Sequence, residues 1–481
     1  MILLLVAIDY FRYQIRIGME ENHDDKKSKG ISRRTALKWL AGVGGVALAV
    51  YYGASRKEIS ALLDEDKAAE NVPDDADRVV TRKDKITGEE VSLLGFGCMR
   101  LPVLKKGEPA IDEKLAMKMI DFGYRHGINY FDTAYPYHEG LSETFVGKAL
   151  KRYDRESFHL ADKMPTWLIE SLDDAKRIFN EQLQKSQVSY FDYYLLHSLT
   201  DQESYDQVYE EYGVLNYLKE QKAAGKIRRL GFSFHGDLDF FKYLLAKHDD
   251  WDFVQIQYNY YDEDNPEQNS GTLYKLLTEK GIQVIVMEPV KGGTLATLNK
   301  TSVSMLKKAE PQASTASWAI RFAATPDNVL TVLSGMSVME QVEDNIYTMC
   351  KSHYKPISAK ERVLLAEVKK VFAQNQPIDC TACRYCMPCP YGVDIPGVFK
   401  VYNEVANDAS MPNPENKTDK DYDFKRKKFL TKYANGVERS AQADHCIACG
   451  KCTKLCPQSI QIPIEMNKID KLVGSLQQVE G

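Results

Sequence analysis

A chain of 481 residues, 44% of them hydrophobic, is long enough for two or more domains with sizeable cores. It carries 63 Lys and Arg against 68 Asp and Glu, a net charge of −5, with both signs spread along its length. That balance argues against nucleic acid as a partner, and ten cysteines crowded mostly at one end of so long a chain argue against a disulfide framework.

The amino-terminal stretch reads as targeting rather than fold. Ser32-Arg33-Arg34-Thr35-Ala36-Leu37-Lys38 precedes an apolar segment from Trp39 to Tyr52 that is rich in Gly, Ala and Val. A twin arginine before a weakly hydrophobic run resembles a twin-arginine translocation signal. The natural start is then Met19, residues 1–55 form the targeting segment, and the charged stretch 56–84 is a spacer. This implies export, with membrane contact only through that segment if it stays uncleaved. A basic amphipathic lead-in on a cytoplasmic protein is the alternative.

From about Val91 to Cys350 short apolar runs alternate with longer amphipathic ones. Strands are predicted at Ser92–Cys98, Asn129–Phe131, His159–Lys163, Tyr193–His197, Arg229–Ser233, Phe253–Gln257, Gln283–Met287 and Val329–Leu333. Helices are predicted between them, among others at Asp112–His126, Leu141–Lys151, Ile169–Ser186 and Tyr205–Ala224. Several end at a Gly (Gly127, Gly225, Gly281), as a left-handed cap requires. Eight such pairs predict an α/β chain whose parallel sheet closes into a (β/α)8 TIM barrel over residues 85–355. Cys98 and Cys350 stand alone and read as small buried hydrophobes.

Chemistry in such barrels sits at the carboxyl ends of the strands. There the sequence places Asp132 in Phe131-Asp132-Thr133-Ala134-Tyr135-Pro136-Tyr137, Lys163 in Ala161-Asp162-Lys163, and His197 in Leu195-Leu196-His197-Ser198. Together with Gly95-Phe96-Gly97, Gly231-Phe232-Ser233, Val254-Gln255-Ile256-Gln257-Tyr258-Asn259 and Gln341-Val342-Glu343-Asp344-Asn345, these resemble the aldo/keto reductase superfamily. The resemblance implies a catalytic tetrad of Asp132, Tyr137, Lys163 and His197 acting on a small-molecule carbonyl. The Lys163 ammonium would lower the Tyr137 pKa, Asp132 would hold Lys163, and His197 would donate to the carbonyl oxygen. Tyr135 is a competitor for the acid, at the wrong separation from Asp132. The resemblance also implies NADP or NAD as cofactor. Ser233 and Gln255 would hold the carboxamide, Gly292 and Gly293 in the loop Val290–Leu295 would approach the pyrophosphate, and Gln341 and Asn345 would lie near the adenosine. Gln341 stands where NADPH-preferring members have Arg, which weakens the case for a 2′-phosphate.

The last hundred or so residues carry Cys380-x-x-Cys383-x-x-Cys386-x-x-Cys389-Pro390 and Cys446-x-x-Cys449-x-x-Cys452-x-x-x-Cys456-Pro457. Thiolates at this spacing suit [4Fe–4S] clusters, and four in one run are poor zinc geometry. In two-cluster ferredoxins the fourth cysteine of each run serves the other cluster, so Cys389 and Cys456 would cross over. The first run is one residue short before Cys389, which leaves one cluster or two open. More than fifty residues with helical periodicity, such as Val398–Ala406 and Phe424–Tyr433, separate the runs and predict a mainly α-helical ferredoxin-like domain over 356–481. Barrel and tail together resemble the bacterial aldo/keto reductases with a ferredoxin-like domain. The basic run Lys425-Arg426-Lys427-Lys428 reads as a solvated helix face or, if functional, as a site for an acidic redox partner protein. Two functions follow: carbonyl reduction by NAD(P)H with an attached redox domain, or an electron-transfer subunit on a catalytically idle barrel.

Overall fold

The computed structural model describes residues 73–105, 108–375 and 377–478. Eight parallel strands close into a barrel: β1 (Leu94–Gly97), β2 (Tyr130–Asp132), β3 (His159–Pro165), β4 (Phe191–Leu199), β5 (Ile227–Phe234), β6 (Phe253–Gln257), β7 (Gln283–Met287) and β8 (Val329–Gly335), with β8 pairing back onto β1. Period-two alternation divides the strand side chains between the barrel interior and the helix-facing core. Tyr130, Ala161, Tyr193, Leu195, Phe253, Ile285 and Leu330 cluster together. Their neighbours Phe131, Leu160, Tyr194, Leu196, Val254 and Val284 belong to the larger core shared with the helices. The barrel is a packed core and not a pore, as its (β/α)8 class demands.

The helix Glu113–Arg125 starts where the Asp112 carboxylate accepts the Leu115 amide, and the chain leaves it through Gly127 at φ 91°. The span 205–224 departs from the single helix expected there. It divides into Gln202–Tyr205, a π-helical turn Asp206–Glu211, and Val214–Ala223, with Gly213 in the left-handed region at φ 74° between the last two. A left-handed residue cannot continue an α-helix, so the amphipathic pattern survives while the backbone breaks.

Two stretches lie differently from the composition-based boundaries. Residues 79–92, which begin inside the expected spacer, form a hairpin of Thr81–Lys83 against Glu90–Ser92. It lies across the amino ends of the strands: the Lys85 amide donates to Gln283 Oε1, and Asp84 accepts from Tyr193 Oη and Arg229 Nε. The helix Ala359–Ala373, expected in the iron–sulfur region, buries Leu365, Val368 and Phe372 in the barrel core. Residues 1–55 and the spacer up to residue 72 lie outside the described residues. No helix among the described residues is long and apolar enough to cross a membrane.

The carboxyl-terminal region is built on the helices Ile395–Asn407, Tyr422–Gly436 and Ile462–Gln477. Val398, Phe399, Val405, Phe429, Met466 and Ile469 form a second core that does not merge with the first. In the basic run, Lys425 pairs with Asp419, Lys428 with Asp408, and Arg426 donates to the Leu476 carbonyl.

Leu365 tests to which core the helix Ala359–Ala373 contributes. Leu365→Ala should destabilise the barrel by about 2–5 kcal/mol, the usual effect of emptying a packed leucine site. Thermal unfolding followed by far-UV circular dichroism should show the loss, with the visible absorption of loaded iron–sulfur protein unchanged at low temperature.

Candidate active site and iron–sulfur cavities

The carboxyl ends of β2, β3 and β4 bring four of the expected residues together. Lys163 is fully buried, and its ammonium donates to Asp132 Oδ1 at 2.6 Å, the Thr133 carbonyl at 2.7 Å and Tyr137 Oη at 3.4 Å. All three N–H groups are thereby used. Tyr137 opens a turn in which His138 and Glu139 both take φ 53°, and its ring meets His197 edge-on at 6.0 Å. Tyr135 points elsewhere, donating to Glu181. Behind Lys163, the Gln182 amide donates to Asp162, Glu143 and the Lys163 carbonyl, and accepts from Tyr194 Oη. This buried polar brace holds the strand that carries the ammonium.

The electrostatics differ from the expectation at Tyr137. Burial pushes its phenol well above the ordinary value, with the Asp132 carboxylate adding to the rise. The ammonium does not win here because its charge is already matched by Asp132, so the phenol is neutral at physiological pH. Burial also raises the Asp132 carboxyl, opposed by Lys163. His197 is held well below its ordinary value by burial, by Lys163 and by His235, and is a neutral imidazole.

The groups expected around a nicotinamide divide into two sets. Ser233, at the end of β5, and Gln255, in β6, are both buried; Ser233 Oγ accepts the Ser198 amide. Gln255 Nε2 reaches only the Met287 sulfur, and its Oε1 is buried without a partner. An orphaned amide oxygen at this position fits a carboxamide N–H donor. One glycine of the loop is covered and the other is open. Gly292, at φ 63°, faces Thr381 of the first cysteine run, so closely that a Cβ there would stand 2.5 Å from the Thr381 carbonyl oxygen. Gly293 has open space around it. Asn345 donates to Ser334 Oγ, and Gln341 accepts the Ser337 amide.

The cysteines surround two cavities. Cys380, Cys383, Cys386 and Cys456 line the first, and Cys389, Cys446, Cys449 and Cys452 line the second. Each run thus lends its last cysteine to the other cavity, and Cys389 is in reach despite its short spacing. Among the described residues no three His, Cys, Asp or Glu side chains converge on a point that could hold one metal ion. Four soft thiol donors spread around a cavity instead match a cluster, in which each iron takes its own thiolate. Burial pushes Cys380 up to about 11 and Cys383 up to about 12, so these thiols ionise only when a metal draws the proton off.

The first cavity lies against the barrel mouth, a juxtaposition that spacing alone does not reveal. Tyr385, between Cys383 and Cys386, shares a hydrogen bond with His197 Nε2 at 3.2 Å, and its ring lies 6.0 Å from that of Trp167. The Thr381 carbonyl accepts from Arg100 Nη2 at 2.5 Å. Gln458, next after Cys456-Pro457, exchanges amide hydrogen bonds with Gln257 at the end of β6 and donates to Glu288. Lys291, 1% exposed, is paired with Asp262 beneath them. Tyr385, Thr381, Arg100, Gln458 and Glu288 were not among the residues the sequence singles out. The one available hint was an aromatic residue placed inside a ligand loop.

Comparison with known proteins agrees with this architecture. The family described as "Aldo/keto reductase family" matches residues 93–356, and "4Fe-4S dicluster domain" matches residues 379–461. "Probable aldo-keto reductase 1" of Glycine max is 31% identical over 214 residues, which span 43% of this chain and 58% of that protein. "NADH-specific methylglyoxal reductase" of Escherichia coli is 26% identical over 279 residues, 49% of this chain and 83% of that protein. The structure of aldo-keto reductase AKR11C1 from Bacillus halodurans in its holo form superposes with a TM-score of 0.50 at 28% identity, covering 60% of this chain and 96% of that one. With the family match spanning more than half of its length and the closed eight-stranded barrel beneath it, this chain belongs to the aldo/keto reductase family and carries a 4Fe-4S dicluster-type region after its barrel.

Proposed function

We propose that the chain reduces an aldehyde or ketone to the alcohol at the barrel mouth, with NAD(P)H as hydride donor, and holds two [4Fe–4S] clusters behind it. The observation that carries this reading is the placement of one buried ammonium, Lys163, in contact with both Asp132 and Tyr137, with His197 across the Tyr137 ring. Gln255 and Ser233 would hold the carboxamide, and the dinucleotide when bound supplies a hydride to the carbonyl carbon. Gln341 offers no guanidinium to a 2′-phosphate, which favours NADH.

The residues of this chain act on the oxygen. Neutral His197 orients the carbonyl by donating an N–H to it. Neutral Tyr137 gives its proton to the oxygen as negative charge builds there. The Lys163 ammonium, 3.4 Å away, stabilises the phenolate left behind, and Asp132 keeps the ammonium charged and aimed. The eight cysteines would hold the clusters in the crossed sets seen around the two cavities. An external redox partner protein would meet the second cavity, where Cys449, Ile447 and Tyr391 are exposed. Export of a folded, cofactor-loaded protein through the twin-arginine route fits this reading.

The other reading, an electron-transfer subunit on an idle barrel, draws on the closeness of Thr381 and Tyr385 to the mouth. Tyr137→Phe separates the two. On the enzyme reading it lowers kcat by at least about 100-fold, the scale of a lost general acid, while the thermal midpoint holds because the ring stays. Lys163→Met should abolish turnover and also destabilise the fold by about 3–5 kcal/mol, since Asp132 is left as an unpaired buried charge. Wild type without any NAD(P)H-dependent carbonyl reduction would leave only the idle-barrel reading.

The pH profile follows from the two shifts. His197 titrates well below its ordinary range and Tyr137 well above its own, so both reacting groups stay neutral across the physiological window. The rate of the reduction step, read in single turnovers, should stay flat as pH falls through about 6.5, where an ordinary imidazole takes up its proton. A break there that disappears in His197→Gln would refute the assignment of a neutral His197.

Crossed ligation has its own signature in paired variants. Cys389→Ser should remove the same electron paramagnetic resonance (EPR) signal as Cys446→Ser, and Cys456→Ser the same signal as Cys380→Ser. Loss of one signal by both Cys380→Ser and Cys389→Ser would instead mean that each run serves its own cluster.

A further inference from the structure

Tyr385 stands between two ligands of the first cavity, yet its phenol reaches the barrel mouth and meets His197 Nε2 at 3.2 Å. The other His197 nitrogen, Nδ1, is buried with no partner. A neutral imidazole carries a single N–H. Either group can donate in this hydrogen bond, and either way Tyr385 engages Nε2, the nitrogen that the carbonyl oxygen requires. Four residues earlier, Thr381 is held by Arg100 and lies against Gly292, where the dinucleotide's pyrophosphate would pass.

We propose that the first cysteine loop is a built-in occupant of the barrel's site. Tyr385 takes the place of the carbonyl oxygen on His197, and Thr381 takes the place of the pyrophosphate on the glycine loop. Ligands enter as the loop gives up these two contacts, which adds Tyr385 and Arg100 to the residues that set affinity at the mouth. The inference rests on the carbonyl-reductase reading and deepens it. The two hydrophobic cores are separate, and the loop meets the mouth through hydrogen bonds, the Tyr385–Trp167 ring contact and the packing of Thr381 on Gly292, a small and partly polar interface. The loop that moves carries Cys380, Cys383 and Cys386. Binding in the barrel and the surroundings of the first cavity are therefore linked, and the linkage is reciprocal.

The test uses the full-length chain loaded anaerobically with both clusters. NADH alone and NADPH alone are titrated by fluorescence, and EPR spectra of the reduced protein are recorded with and without saturating nucleotide. Tyr385→Phe keeps the ring beside Trp167 and removes the oxygen. It should tighten nucleotide binding about fivefold, the scale of one neutral hydrogen bond, and adding Arg100→Ala should tighten it further. In wild type, nucleotide should alter the signal that Cys380→Ser removes and leave the other unchanged. Equal or weaker binding by Tyr385→Phe overturns the proposal, as does a wild-type spectrum indifferent to bound nucleotide. Should Tyr385→Phe fail to hold iron, the wild-type spectrum decides alone. Binding of neither nucleotide, even by the double variant, would sink the dinucleotide reading and this proposal with it, whereas equal binding by all forms sinks only the proposal.

Discussion

The site depends on an ammonium with no access to water. Removing a charge from solvent is expensive unless it is paired and every donor is satisfied. Lys163 meets that condition only because one short segment, 132–137, supplies three partners: Asp132 at the end of β2, the carbonyl of Thr133, and Tyr137 in the turn that follows. The Gln182 brace fixes the backbone of β3 from behind. The ion pair therefore has a structural part to play. It ties the loop after β2 to β3, and a disturbed loop would leave a buried charge exposed to its own desolvation.

A neutral phenol and a neutral imidazole at the mouth are the electrical consequence of that closure. Burial outweighs the nearby ammonium at Tyr137 because the carboxylate has already taken up the ammonium's field. Such a site is set to deliver a proton, the direction that carbonyl reduction needs. The reverse reaction would first have to deprotonate the phenol against its burial.

Much of this was legible in the sequence, for a physical reason. Barrel strands are buried on both faces, so their apolar runs stand out; β6 and β7 span the expected residues, and β1 is shorter than the run Ser92–Cys98 that announced it. Asp132, Lys163 and His197 were visible because each is an ionisable side chain closing an apolar strand, at the barrel end where chemistry sits. What stayed hidden depends on three-dimensional contact without periodicity. Nothing in the pattern of Ala359–Ala373 says which of two cores its apolar face will choose. The π-helical turn at Asp206–Glu211 keeps the same amphipathic spacing as the helix it interrupts. Cysteine spacing encodes ligation only, and is silent about Thr381 and Tyr385, which occupy the gaps between ligands.

Those gaps distinguish two loops that are alike in the spacing of their first three ligands. In the first, the residue after the leading cysteine is Thr381, 2% exposed against the barrel; in the second it is Ile447, 59% exposed. The next residue in each, Ala382 and Ala448, takes positive φ, at 52° and 57°, so the two backbones turn alike. The shared turn goes with the shared cysteine spacing, and the intervening side chains decide what each loop faces. One is dressed in hydrogen-bonding groups for a polar mouth, the other in an apolar group left on the surface.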